Sequence, residues 1–291
     1  MTHSRSRPWK DRRIIVAGGT AGFGLVLARH LHAAGGRVLI VGRSAEGVRA
    51  GLAACDEASC DEAADGRLRG VAADLGRPGE GGRVVGEALR LWGGVDDLFF
   101  CVGRSGRGSI LATDAARLRE FFDANVSAAV EITAAVADDV ATNRGHIVYI
   151  GSLAGKLVTP AMGPYCVAKS ALAAYVDAVR LEMAPRGGHV LLVSPGPIGR
   201  AAGDPRAAEA EDRYRDEVRQ AGLPEEALRP GGTGALAPLD PERLAKQVLA
   251  ACVRRQSELV VPRKAALLAG LIEWFPDWGR RLLARVTASR G

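Results

Sequence analysis

The sequence predicts an α/β fold: a doubly wound parallel sheet of about seven strands, with helices on both faces. Three observations predict it. Short apolar runs of strand length alternate with longer segments of helical periodicity. The runs are almost continuously apolar, as in strands covered on both faces. Hydrophobic residues form 47% of the chain and aromatic ones only 5%, so the core is expected to be aliphatic. At 291 residues the chain is long for one domain, yet α/β sheets often reach that size as a single unit.

In chain order the runs are RIIVA (13–17), RVLIVG (37–42), LRGVAAD (68–74), DLFFCV (97–102), HIVYIG (146–151), HVLLVS (189–194) and ELVVP (258–262). Between the last two, 199–240 reads as a polar helix followed by a Gly/Pro-rich loop. So long an insertion in a compact α/β domain suggests a substrate lid. Residues 1–262 are therefore expected to form one domain, and 263–291 a C-terminal helical extension. No internal repeat stands out, and no apolar stretch is long enough to span a membrane.

The five cysteines, at 55, 60, 101, 166 and 252, follow no zinc spacing, and MTHSRSRPWKDRR at the N-terminus has no apolar signal core. A reduced, cytoplasmic setting without a metal is expected. Cys55 and Cys60, in the acidic stretch CDEASCDEAAD, read as an exposed helix end. The formal net charge is +6, but the arginines are spread along the chain and not interleaved with stacking aromatics, so no nucleic-acid partner is expected. Such a charge suits anionic substrates, cofactor phosphates or lipid headgroups.

The first strand runs into AGGTAGFG (17–24) and then into the helix LVLARHLHAAG. Gly18, Gly22 and Gly24 let the backbone turn, approach a pyrophosphate and pack the helix closely, while the helix N-terminus favours phosphate charge. A glycine cluster between the first strand and first helix marks a Rossmann-type dinucleotide site. Thr20, Ala21 and Phe23 complete the loop as candidate cofactor contacts. After the second strand, Gly42 stands where an acid would bind the ribose hydroxyls of NAD, and Arg43 and Ser44 follow. An arginine complements a 2′-phosphate, so NADP(H) is expected over NAD(H).

Further motifs follow in order: Asp74 and Leu75 after the third strand, Val102 and Gly103 after the fourth, and Asn125 in FDANVSAAVEIT. Ser152 ends the fifth strand, Tyr165 stands thirteen positions on, Lys169 four beyond that, and SPGPI (194–198) follows the sixth strand. With these motifs the sequence resembles a classical short-chain dehydrogenase/reductase from about 12 to 262, closest to the hydroxysteroid-dehydrogenase-like, membrane-associated branch. The resemblance implies that Asp74, with Leu75, meets the adenine, and that Val102 and Gly103 lie at the cofactor. It also implies that Pro195, Gly196 and Ile198 wall the nicotinamide, and that Asn125 holds a water linking Lys169 to solvent. The helices carrying Asn125 and Tyr165 would form the interface of a homodimer or homotetramer. Three departures stand out: Ala17 for a threonine, Phe100 and Cys101 for two asparagines that brace the central strands, and Arg200 for a threonine that meets the carboxamide.

The chemistry of the residues supports the same roles. Tyr165 and Lys169 fall on one face of the Ala-rich helix YCVAKSALAAYVDAVRLEMA. An ordinary phenol, with a pKa of about 10, exchanges protons poorly at neutral pH, and the lysine charge is expected to lower it. Tyr165 then serves as general acid and Ser152 donates to the developing oxyanion, while the nicotinamide supplies hydride. Any one of these residues alone suits a structural role: Tyr-x-x-x-Lys is common on helix surfaces, and Ser152 and Asn125 suit caps. All four in order after the expected elements form a catalytic set.

The expected activity is NADPH-dependent interconversion of a carbonyl and a secondary alcohol on an apolar or lipid-like small molecule. The alternatives are a 3-oxoacyl-thioester reductase whose basic surface receives an acidic carrier protein, and a nucleotide-sensing protein that has lost the reaction. The tail PRKAALLAGLIEWFPDWGRRLLARVTASRG joins an apolar run to Trp274, Phe275 and Trp278 and to Arg280, Arg281 and Arg285. That order resembles an interfacial segment making peripheral membrane contact. An equal alternative is a helix packed on the body or across a subunit interface, with Pro276 breaking it.

Overall fold

Apolar pairs on alternate sides of each strand require cover above and below the sheet, and the chain supplies it with helices between strands. The computed structural model describes residues 8–56, 66–200, 207–228 and 237–287. Its elements are β1 (Arg13–Ala17), α1 (Gly22–Ala33), β2 (Arg37–Gly42), α2 (Ala45–Asp56), β3 (Leu68–Ala72), α3 (Glu80–Trp92) and β4 (Asp97–Phe100). Then come α4 (Ala115–Phe122), α5 (Ala128–Thr142), β5 (His146–Ile150), α6 (Gly163–Met183), β6 (His189–Pro195) and α7 (Ala207–Gln220). The chain continues through α8 (Pro241–Val253), β7 (Glu258–Val261), α9 (Arg263–Trp274) and α10 (Pro276–Thr287).

The seven strands are parallel in the order β3-β2-β1-β4-β5-β6-β7. The order reverses between β1 and β4, and ligands of such sheets bind beyond the carboxyl ends at that crevice. On one face Ile15, Leu39, Leu98 and Ile147 pack with α3, α5 and α6. On the other, Ile14, Val16, Ile40, Phe99 and Val148 pack with α1 and α8.

Four strands stop earlier than expected, β5 at Ile150 and β7 at Val261 by one residue and β3 at Ala72 and β4 at Phe100 by two, so Asp74 and Val102 lie on the loops beyond the sheet. Cys55 corrects another expectation. It is buried beside Leu68 and Val38 in the second core layer and is not an exposed helix end, because α2 turns that position towards the sheet. Cys60 lies outside the described residues. Phe100, where an asparagine would brace the strands, is fully buried against Tyr149, with ring centres 6.0 Å apart. The Tyr149 hydroxyl is in turn hydrogen-bonded to Thr133, 2.6 Å away. The bracing at this position is aromatic packing.

The amino ends of the central strands are tied by charge. Arg12 donates to both oxygens of the buried Asp97, at 2.5 and 2.7 Å, and Asp97 also accepts the His146 backbone N–H at 2.9 Å. Beside this pair, burial pulls the His146 imidazole down to about 3, so the contact between its Nδ1 and that of His189 (2.8 Å) joins neutral rings.

The tail folds as two helices, with Pro276 opening the second. Among the described residues no helix is long and apolar enough to cross a membrane.

Candidate active site

The glycine loop is shaped by close backbone approaches. Gly18 has φ +79° and runs along the Cys101–Val102 backbone, and a Cβ on Gly24 would come within 2.2 Å of the Gly18 carbonyl oxygen. Side chains at either position would push α1 away from β1, leaving no cradle for a pyrophosphate. Thr20 is buried, and Phe23 packs against the α1 side of the core. Ala21 immediately precedes α1.

Beyond β2 and β3 lies a cavity of about 380 Å³, lined by Arg43, Ala72, Ala73, Asp74, Arg77, Pro78 and Glu80. A Cβ on Gly42 would sit 2.5 Å from Thr20 Cγ2 and 2.7 Å from its Oγ1. Thr20 thus occupies the place an acidic side chain would need, and Arg43 is left facing the cavity. Ser44 caps α2, its Oγ accepting from the Gly47 N–H at 3.1 Å. The Leu75 side chain is buried in the core, so only its backbone is available to a ligand. The cradle and cavity fit a dinucleotide.

The four candidate catalytic residues come from four segments. Asn125 lies in a π-helical turn, Asp123–Ser127, and is fully buried. Its Nδ2 donates to the carbonyls of Phe121 (2.9 Å) and Arg104 (3.0 Å), and its buried Oδ1 has no protein partner among the described residues. A Cβ on Gly103 would stand 2.7 Å from that Oδ1 and 3.1 Å from Lys169 Nζ, so both atoms face the same backbone turn. Lys169 is buried on α6, and its Nζ donates to the Ile150 carbonyl at 3.3 Å and lies 5.9 Å from the centre of the Tyr165 ring. Ser152 Oγ accepts from the Ala154 N–H at 3.1 Å, capping the short turn Leu153–Gly155, and its hydroxyl is near enough to the Tyr165 phenol to favour the phenolate.

One expectation is corrected. Burial pushes the Tyr165 phenol up to about 12, against the opposing influence of the Ser152 hydroxyl, so the expected lowering by Lys169 is not present. The cost of desolvating a phenolate outweighs a cation held against the Ile150 carbonyl. Burial acts on Lys169 too, and pulls its ammonium down to about 8.

Pro195 ends β6, and the Gly196 N–H donates to the Val261 carbonyl at 2.7 Å. Ile198 pairs with Leu239 in an isolated bridge. Arg200 is exposed. The expected polar helix of 199–240 is α7, while 201–206 and 229–236 lie outside the described residues.

Five residues of this region, Ser105, Arg107, Arg117, Tyr214 and Glu217, make contacts that no motif announced. Arg107 is buried after β4, its guanidinium 4.4 Å over the Tyr214 ring of α7 and its Nε donating to the Ala227 carbonyl at 2.5 Å. The Tyr214 hydroxyl is hydrogen-bonded to Ser105 Oγ. Glu217 accepts from the Arg107 backbone N–H at 2.8 Å and from Arg117 at 2.9 Å, clamping α7 over the loop that precedes α4. The available signal was the spacing of Tyr214 and Glu217, three apart on one helical face, opposite the glycine-flanked arginines of GRSGRGS.

Comparison with known proteins identifies the family. Residues 12–210 match the family model described as short chain dehydrogenase. The chain is 31% identical over 261 residues to "Dehydrogenase/reductase SDR family member 7B" of Xenopus tropicalis, spanning 89% of this chain and 80% of that one. Its counterpart in Danio rerio is 29% identical over 259 residues, spanning 88% of this chain and 79% of that one. Similarity also extends to the mitochondrial D-beta-hydroxybutyrate dehydrogenase of Bos taurus, 28% identical over 201 residues, 65% of this chain and 55% of that one.

Proposed function

The chain belongs to the short-chain dehydrogenase family of NAD(P)-dependent oxidoreductases, and we propose that it uses NADPH to interconvert a carbonyl and a secondary alcohol on an apolar or lipid-like small molecule. The carrying observation is the convergence of Asn125 and Lys169 beside Gly103 at the carboxyl end of the sheet, with the Tyr165 ring against Lys169 and the Ser152 hydroxyl near the phenol. The proposal includes a single catalytic domain over 1–262, a homodimer or homotetramer through α5 and α6, and membrane contact through 263–291.

Gly18, Gly22 and Gly24, with the start of α1, would hold the pyrophosphate, and Val102, Gly103, Pro195, Gly196 and Ile198 the nicotinamide end. The nicotinamide, when bound, supplies or accepts the hydride. Tyr165 delivers the proton to the carbonyl oxygen, and Ser152 donates a hydrogen bond to the same oxygen as negative charge develops. The Lys169 ammonium and Asn125 Oδ1, an acceptor with no protein partner among the described residues, face the same turn and suit a water that returns the proton to Tyr165. Ala154, Met162 and Cys166 pack around Tyr165, which supports an apolar substrate.

Because Lys169 must be charged for this work and loses its proton at about 8, kcat/KM for carbonyl reduction is expected to fall as pH rises through that value. Protonated Tyr165 is not limiting there, since its own proton is held to about 12. A profile that stays flat between about pH 6 and pH 10 would remove Lys169 from the mechanism.

Cofactor choice is tested by titrating the protein with NADPH and NADH while following nucleotide fluorescence. Wild type is expected to favour NADPH, and Arg43→Asp to lose about tenfold or more in NADPH affinity with NADH binding retained, as when one charge-assisted contact to a phosphate is removed. Equal affinities in wild type would overturn the NADPH assignment.

A further inference from the structure

The geometry points to a docking surface for an anionic lipid bilayer at the junction of α9 and α10, entered by Trp274, Phe275 and Trp278. This deepens the membrane contact proposed above by naming its chemistry and its residues. The two helices form a tight hairpin: a Cβ on Gly279 would lie 2.7 Å from the Ile272 Cα, so α10 lies directly against α9. Ala265, Leu268, Ala269, Ile272 and Leu283 turn inward onto Leu153, Leu157 and Val260. That face is the one packed on the body, and it rests on the turn that Ser152 caps.

The other side of the hairpin has no such cover from the described residues. Trp274 is 83% exposed, Phe275 61%, Trp278 59% and Leu267 78%. Large rings are normally buried, and two of the four tryptophans of the chain stand here in water. Around them Arg263, Lys264, Arg280, Arg281 and Arg285 are exposed, against only Glu273 and Asp277. None of these five cations forms an ion pair with a described residue. Aromatic rings at a helix end with cations on the adjoining turns match the boundary between acyl chains and anionic headgroups. A second copy of the chain is a poorer occupant, because a two-fold contact would bring the same excess of positive charge against itself.

The test is co-sedimentation of the full-length protein with vesicles of phosphatidylcholine alone and of phosphatidylcholine with phosphatidylserine. It compares wild type with a Trp274→Ala, Phe275→Ala, Trp278→Ala variant and with an Arg280→Glu, Arg281→Glu variant. Wild type is expected to bind the phosphatidylserine vesicles at low salt and to be released by high salt, and each variant to lose at least tenfold in partitioning. Wild type that stays in the supernatant, or variants that bind as wild type does, would overturn the inference. Light scattering on the same samples adds a third overturning result: if the variants fall to a lower mass, the face joins copies of the chain. NADPH fluorescence separates this inference from the cofactor reading, since vesicle binding without nucleotide binding defeats the latter alone. The arginine variant changes only exposed side chains, so it keeps the test decisive should the aromatic variant fold poorly.

Discussion

Tyr165→Phe is expected to lower turnover by roughly 10²–10⁴-fold, the range for loss of a positioned general acid, while NADPH affinity stays near that of wild type. The substitution removes one hydroxyl and keeps the ring near Lys169, whose Nζ is 5.9 Å from its centre. It therefore takes away the proposed proton donor without opening a hole. The check pairs steady-state kinetics with nucleotide titration on the same preparation. Loss of both turnover and binding would mean that Tyr165 holds the site together, and loss of neither would favour a nucleotide sensor over an enzyme. Cys166, next in sequence, offers no substitute donor, because it is fully buried and its thiol is pushed up by that burial.

Asp97→Ala has its effect at the other end of the sheet. Asp97 receives two hydrogen bonds from Arg12 and one from the His146 backbone, and so links β1, β4 and β5 from a fully buried position. Removing one member of such a pair strands the other, at a cost of about 3–5 kcal/mol. For a domain of this size that corresponds to a fall in Tm of roughly 10 °C. Asp97→Asn, which keeps the shape and an acceptor, is expected to lose less. Thermal unfolding at neutral pH measures both, and activity per folded molecule is expected to be unchanged, since Asp97 sits at the amino ends of the strands and the proposed catalytic set at the carboxyl ends. A loss below about 1 kcal/mol would mean that Arg12 recovers a partner nearby; the Asp96 carbonyl, 3.5 Å from its Nη2, is in place to provide one.

The strands were legible because their signal is local. A run such as RVLIVG or HIVYIG, apolar between an opening basic residue and a closing glycine, reads as a buried strand without knowledge of its neighbours, and β2 and β5 fall where those runs do. The glycine loop was legible for the same reason: backbone freedom at Gly18 and close packing at Gly24 are properties of single residues. The positions of Ser152, Tyr165 and Lys169 followed from fixed spacing within one segment. Asn125 was also recognisable by its place in the chain, although the turn that presents it is π-helical and nothing in FDANVSAAVEIT foretold that.

The properties that depend on distant contacts were not legible. The burial of Cys55 is set by which way α2 faces the sheet. The clamp on α7 joins Arg107 to Glu217 across 110 positions, and no periodicity carries information over that distance. The phenol of Tyr165 shows the division most clearly. Its spacing from Lys169 was fixed by one helix, and from that spacing a lowered pKa was expected, yet the surrounding packing raises it to about 12. The same holds for the tail, whose composition announced a segment with one apolar side but not which side meets the body. The sequence by itself determined which residues could do chemistry and on which elements they lie. Only the tertiary structure decided what surrounds them, because desolvation and packing are sums over neighbours brought together from every part of the chain.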